Sequence, residues 1–149
     1  MRLSVEQYRK LSSTTRRTPK KHGEADAQAA YFEILRSYEG MYPILRWVQA
    51  SMNGANRGKP SAGQSWAQGQ KPGVWDVFIP VARHGFGGAW IENKFGDNKL
   101  TAAQAEFGEF VRSQNFSTKI SYDLETSLKF TEFYLGVDLH GPIAIGRGK

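Results

Sequence analysis

Asp76 and Glu92 are acids set inside two apolar stretches, Val74-Trp75-Asp76-Val77-Phe78-Ile79-Pro80 and Ala89-Trp90-Ile91-Glu92-Asn93-Lys94-Phe95. Burying an unpaired carboxylate is strongly unfavourable, so an acid in such a stretch needs a partner. Both stretches read as strands, joined by a turn over 81–88 that holds three glycines, and they should pair antiparallel. A turn centred on His84 puts position 76 opposite position 92. Side chains directly opposite point to one face, with Cβ atoms about 5 Å apart. Two carboxylates that close repel unless a proton or a cation lies between them. A divalent metal is the simplest solution, because Mg2+ takes one or two carboxylates and keeps its other positions for water and phosphate. Lys94 follows Glu92 by two residues, so the strand period places it on the same face. Two acids and an ammonium at one spot suit hydrolysis of a phosphodiester. The metal polarises the phosphoryl group and acidifies water. The lysine orients the attacking water or stabilises charge on the phosphate. The same three residues also describe a structural ion pair on a half-exposed sheet, and further residues have to separate the two readings.

Glu24 and Gln104 bear on that choice. Glu24 to Tyr38 reads as a helix, on which Glu24, Gln28, Tyr31, Leu35 and Tyr38 share a face, whereas Glu33 falls on the opposite, solvated side. Glu24 is then either a first-turn acid that complements the helix dipole or a third acidic group at the metal site. Thr101-Ala102-Ala103-Gln104 fits a capping box, in which the glutamine only closes the helix start. Alternatively Gln104 points toward the metal or the scissile phosphate.

The elements that must position these residues follow from the pattern. The chain has 149 residues, the size of one domain, and no cysteine. The cysteine count excludes a disulfide framework, a thiolate nucleophile, an iron–sulfur cluster and a cysteine zinc site. Twenty Lys and Arg against fourteen Asp and Glu leave a formal charge of +6, with a pI near 9.7, which points toward a nucleic-acid partner. No apolar run is long enough to span a membrane, and the first residues lack the apolar stretch of a signal peptide, so the expectation is a soluble, cytoplasmic protein. Residues 1–23 form a basic arm. Gly40 and Pro43 stop the first helix, and Ile44 to Ala50 is rich in strand formers and is read as a strand. Ser51 to Gly73 holds five glycines and two prolines, a loop long enough to be functional. Thr101 to Gln114 is a helix, Ser117 to Tyr122 a strand, and Asp123 to Leu135 a helix with Asp123 as N-cap and Gly136 as stop. Residues 136–149 read as a loose tail. The fold class is α/β, one mixed sheet flanked by helices in the order α-β-β-β-α-β-α.

Taken in order, Glu24 with Gln28, Asn53, Gly69-Gln70-Lys71-Pro72-Gly73-Val74-Trp75-Asp76, Trp90-Ile91-Glu92-Asn93-Lys94 and Leu100-Thr101-Ala102-Ala103-Gln104 resemble the VRR-NUC domain. These are the virus-type replication-repair nucleases, many of them phage-encoded, a branch of the PD-(D/E)xK superfamily. The resemblance spans roughly residues 24–135. It implies the restriction-endonuclease-like core of that superfamily. It further implies that Asp76 and Glu92 ligate Mg2+ or Mn2+, that the backbone carbonyl of Asn93 adds a ligand, and that Lys94 is the catalytic lysine. Glu24 would support the metal or its water shell, and Gln104 would assist. Small phage-type members are similar to Holliday-junction resolvases acting as dimers, which implies branched DNA as substrate, a homodimer, the cytoplasm of a bacterial host, and no small-molecule cofactor. One departure is visible: Trp75 stands where the superfamily name has proline, a position that is not a ligand.

DNA contacts are expected from basic residues around the site: Arg57, Lys59 and Lys71 in the long loop with Asn53 near its start, Arg83 with His84 in the hairpin turn, and Lys99 before the second long helix. Such backbone contacts do not read sequence, which fits recognition of branch shape. Arg16, Arg17, Lys20 and Lys21 of the arm either join them or form a solvated tail. Trp66 is the loop aromatic suited to stacking on an unpaired base. His22, His84 and His140 show no metal-ligand spacing and are read as non-catalytic. The expectation is a metal-dependent, structure-specific deoxyribonuclease. Its rivals are a non-catalytic basic DNA-binding module and a sequence-specific restriction endonuclease, for which 149 residues leave little room.

Overall fold

A computed structural model describes residues 23–51, 62–94 and 96–142. Helix α1, Gly23–Tyr38, buries Tyr31, Ile34, Leu35 and Tyr38 along the stripe that the sequence spacing predicts, and leaves Glu33 exposed. A short 3-10 helix, Pro43–Trp47, follows, then β1, Gln49–Ala50. The strand expected over 44–50 is therefore confined to its last two residues. Leu45 and Val48 are the buried pair there, and a spacing of three suits a 3-10 turn rather than an alternating strand. Pro43 at its start loses nothing, since the first N–H groups of a helix have no partner within it.

Within the long loop a six-residue helix, α2, covers Ala62–Ala67, which the sequence reading did not anticipate. Strands β2, Val77–Ile79, and β3, Ala89–Asn93, pair antiparallel, with Val77 opposite Ile91 and Ile79 opposite Ala89. This register continues to place Asp76, one residue before β2, across from Glu92. Helix α3, Ala102–Ser113, crosses from the end of β3 to β4, Ser117–Ser121, which lies parallel to β3. Helix α4, Leu124–Leu135, starts on Asp123, whose carboxylate accepts from Thr126 N at 2.7 Å, and ends on Gly136 at φ +67°. The sheet order is β1-β2-β3-β4, and the mixed α/β class stands.

The two faces of the sheet do different work. Val77, Ile79, Ala89 and Ile91 pack with α1 and α4 into the main core. On the other face Phe78 stacks on Trp90 at 4.4 Å between centroids, and Trp90 meets Phe107 of α3 edge-on at 5.0 Å. The parallel β3–α3–β4 crossover starts α3 at the C-terminal end of β3, beside Glu92. No helix among the described residues is long and apolar enough to cross a membrane.

Packing extends past Leu135, where a loose tail is expected from sequence. Leu139 is wholly buried, and Tyr38 Oη donates to the Gly141 carbonyl at 2.6 Å. His140 holds this turn to α4 through Glu125 and Glu132. Val137 packs against the core beside Leu139, and the glycines that flank the pair obscure both. The arm over residues 1–22, residues 52–61, Phe95 and residues 143–149 lie outside the described residues.

Two glycines bring α3 against the segment that leads to Asp76. Gly73 has φ +85°, and a Cβ built on it would lie 2.4 Å from the Ala103 carbonyl oxygen. A Cβ on Gly108 would lie 2.6 Å from the Trp75 ring. Gly73→Ala therefore combines a left-handed backbone with a clash against backbone atoms, and it should cost about 2–3 kcal/mol of stability. Urea unfolding of the two proteins measures the difference, and equal midpoints would contradict the close approach.

Candidate active site

The hairpin carries the acids and α3 answers them. Glu92 lies near the end of β3 at 2% exposure. Its Oε1 accepts from Gln104 Nε2 at 2.5 Å and lies 3.3 Å from Lys94 Nζ. Lys94, itself 8% exposed, donates to Gln104 Oε1 at 2.8 Å. Glu92, Lys94 and Gln104 thus form a closed triangle in which the amide gives to the acid and accepts from the ammonium.

Gln104 also completes the capping box. Its backbone N–H donates to Thr101 Oγ1 at 3.2 Å, and its Oε1 accepts from Thr101 N at 2.9 Å. The two readings of Gln104 left open by the sequence are therefore not exclusive. The amide at the third helical position reaches back over the helix start, and the crossover has placed that start against Glu92.

Asp76 is half-buried and faces the end of β3, where its Oδ2 accepts from the backbone N–H of Asn93 at 2.8 Å. Burial pushes the Glu92 carboxyl up to about 7, with the nearby Asp76 carboxylate adding to the rise and Lys94 opposing it. Glu92 Oε2 is buried with no hydrogen-bond partner. A buried carboxylate oxygen left without a donor, with a second carboxylate across the hairpin, is a donor set that suits a hard divalent cation. Glu92 and Asp76 would hold it, and the lysine and glutamine already balance the other oxygen of Glu92.

This architecture has a counterpart among solved structures. A protein described as "VRR_NUC domain protein" superposes with a TM-score of 0.64 over 79% of this chain and 92% of its own, at 21% identity. The chain has the VRR-NUC fold. No family model and no curated protein matches its sequence, so the likeness is one of three-dimensional form.

Within the VRR-NUC fold the remaining expected residues are distributed unevenly. Glu24 lies in the first turn of α1. Ala27 and Tyr31, further along that helix, line a narrow cavity together with Asn93, so α1 begins at the same end of the sheet as the acids. The Glu24 side chain, Asn53, Arg57 and Lys59 lie outside the described residues. Lys99 is exposed in the connection that leads from β3 into α3, beside the triangle's helix. Lys71 is exposed five residues before Asp76, with its Nζ 6.0 Å from the ring centroid of Trp66, which is 71% exposed on α2. Arg83 bridges to Phe86 in the hairpin turn, past the Ile79–Ala89 pair and so at the opposite end of the hairpin from the acids.

Trp75 is the residue whose importance was not read from sequence. It is wholly buried, its Nε1 donates to the Gln104 carbonyl at 2.8 Å, and its ring packs on Gly108 and Phe107. It fastens the start of α3 to the residue next to Asp76. Gly108 in mid-helix was the available signal, because glycine there is unfavourable unless a neighbour needs the space.

A second group of possible metal ligands, Glu132, Asp138 and His140, sits on α4 and the turn after it. Its atoms are engaged with one another and with the chain: His140 meets Glu132 and Glu125, and Asp138 accepts from the backbone of His140 and Gly141. It closes the C-terminal turn.

The raised Glu92 carboxyl has a consequence for stability. A carboxyl that holds its proton more tightly folded than unfolded stabilises the fold below its ordinary pKa and loses that contribution as pH rises through the folded value. With chelator present, the melting temperature should fall as pH rises from 4.5 through about 7. Glu92→Gln, which keeps a neutral side chain throughout, should flatten that slope. An unchanged slope in the variant would remove Glu92 as its source.

Proposed function

We propose that this chain is a metal-dependent deoxyribonuclease of VRR-NUC type, acting on branched DNA as a homodimer. The observation that carries the reading is the partnerless, buried Glu92 Oε2 set across the hairpin from Asp76 and beside a buried lysine. A purely structural ion pair would leave no oxygen unanswered, since burying an unsatisfied carboxylate oxygen costs stability without return.

In this reading Asp76, Glu92 and the Asn93 carbonyl hold Mg2+ or Mn2+, which when bound polarises the phosphoryl group and lowers the pKa of water. Lys94 holds its ammonium at a fixed point, because Gln104 and Glu92 restrain it. There it orients the attacking water or neutralises charge that builds on the phosphate. Gln104 keeps Lys94 and Glu92 in register with each other, and Glu24 supports the site from the first turn of α1. Lys71 and Lys99, exposed on segments that lead to the site, contact the DNA backbone, as do Asn53, Arg57 and Lys59 of the long loop. Arg83 would reach DNA only from the opposite end of the hairpin, so its contact is to a distant stretch of the substrate. The +6 charge supports a polyanionic partner.

The test is cleavage of matched four-way junction, flap, single-stranded and linear duplex DNA with Mg2+ or Mn2+. Paired symmetric nicks in the junction are expected. Asp76→Ala and Lys94→Ala should each lower cleavage by about a hundredfold or more while DNA binding and the folded state persist. Cleavage by either variant at the parental rate would overturn the site. Flap or end cleavage alone would remove the junction preference and keep the nuclease. DNA binding that persists in chelator, with no cleavage of any substrate, would favour the non-catalytic binding module.

A further inference from the structure

Asn93, the last residue of β3, stands between Glu92 and Lys94, and its side chain falls on the opposite face of the sheet from theirs. That face is covered by α1 and α4, and the side chain meets a hydroxyl there. Ser127 Oγ of α4 donates to Asn93 Oδ1 at 3.0 Å and lies 2.7 Å from Ser121 Oγ of β4. Ser121 Oγ in turn donates to the Asp123 carbonyl at 2.7 Å. One turn further along α4, Thr131 Oγ1 donates to the Ser127 carbonyl at 2.8 Å and meets Tyr31 Oη of α1 at 2.8 Å. Ser121, Ser127, Thr131 and Tyr31 are all buried, at 4% exposure or less.

Such a run of hydroxyls under a sheet is costly unless each is satisfied, and a satisfied one fixes its members in a single arrangement. Here the arrangement ends on Asn93. The backbone N–H of that residue donates to Asp76 Oδ2 at 2.8 Å, so the orientation of the Asn93 peptide and the position of the Asp76 carboxylate are linked. The network therefore reaches the acid pair through the main chain, from the face of the sheet opposite the acids.

We propose that Ser127 is a positioning residue for the divalent-cation site, acting through Asn93. It holds the Asn93 side chain from below, which fixes the backbone of that residue, whose N–H donates to Asp76 and whose carbonyl would be a ligand of the cation. This inference rests on the nuclease reading above. Residues that orient ligands without touching the metal commonly change metal affinity by about 10–100-fold when removed.

The experiment is calorimetric titration of the full chain with Mn2+, without DNA, on the parent and on Ser127→Ala, Asn93→Ala, the double variant and Thr131→Val, with melting temperatures alongside. Ser127→Ala should weaken Mn2+ binding by about tenfold. The double variant should bind no more weakly than Asn93→Ala alone, because the serine acts through the asparagine. Thr131→Val removes the neighbouring hydroxyl bonds one turn further from Asn93. It should lower the melting temperature and leave Mn2+ affinity unchanged. If Ser127→Ala lowers only the melting temperature, or if the losses in the double variant add, the positioning role is overturned and the nuclease reading stands. Should Ser127→Ala not fold, Asn93→Ala alone decides: parental Mn2+ affinity in that variant overturns the proposal. A parent that binds no Mn2+ overturns both.

Discussion

Everything near the acids is arranged around one electrostatic fact, a glutamate held out of water at the end of a central strand. Desolvation of Glu92 has to be offset, and most of the offset falls on one oxygen: Gln104 donates to it and Lys94 lies beside it. The other oxygen is left buried and unanswered. The Asp76 carboxylate across the hairpin adds repulsion, which the Asp76 backbone only partly opposes. The two oxygens of Glu92 are therefore unequally answered, and a cation in the proposed site would gain most at the oxygen without a hydrogen-bond partner. Stability of the cation-free protein and readiness to bind a cation oppose each other at this point.

The fold meets the positional demand with one crossover and two close approaches. The parallel connection from β3 to β4 has to begin at the C-terminal end of β3, so the first turn of α3 arrives where Glu92 and Lys94 are. Gly73 lets the loop before Asp76 press against Ala103, and Gly108 makes room for Trp75. Trp75 then bonds the carbonyl of the same residue, Gln104, whose side chain serves the acid and the ammonium. Asp76, Glu92, Lys94 and Gln104 come from three segments that share these few contacts, so a shift of α3 would disturb all four together. The aromatic layer of Phe78, Trp90 and Phe107 resists that shift. Beneath the sheet the hydroxyl network supports the same strand end from α4 and α1.

Much of this was legible along the chain. The antiparallel pairing of 76 with 92 followed from a turn centred on His84, and a pairing register with side-chain period two leaves little freedom once the turn is placed. The apolar stripe of α1, the Asp123 cap and the Gly136 stop are local patterns, and local patterns survive into the fold. The segment 44–50 misled, because its β-branched and aromatic content favours a strand while its buried positions, Leu45 and Val48, are three apart. The role of Leu139 was hidden for a related reason: two apolar residues, Val137 and Leu139, set between glycines are too short a run to show a period.

What the sequence by itself determined is the chemistry on offer and the elements that carry it: two acids and a lysine at strand spacing, a capped helix after them, and a basic balance suited to phosphate. What only the tertiary structure decided is which groups answer which. Trp75 and the Gln104 carbonyl are 29 residues apart, and Ser127 and Asn93 are 34 apart. Neither pairing leaves a periodic trace, because contacts between separate elements depend on how whole faces pack. The sequence also offered two readings of Gln104, cap or site, as alternatives. The cap forms, and the same side chain also bonds Glu92 and Lys94, because the crossover delivers the helix start to the buried acid, a coincidence in space that no local rule contains.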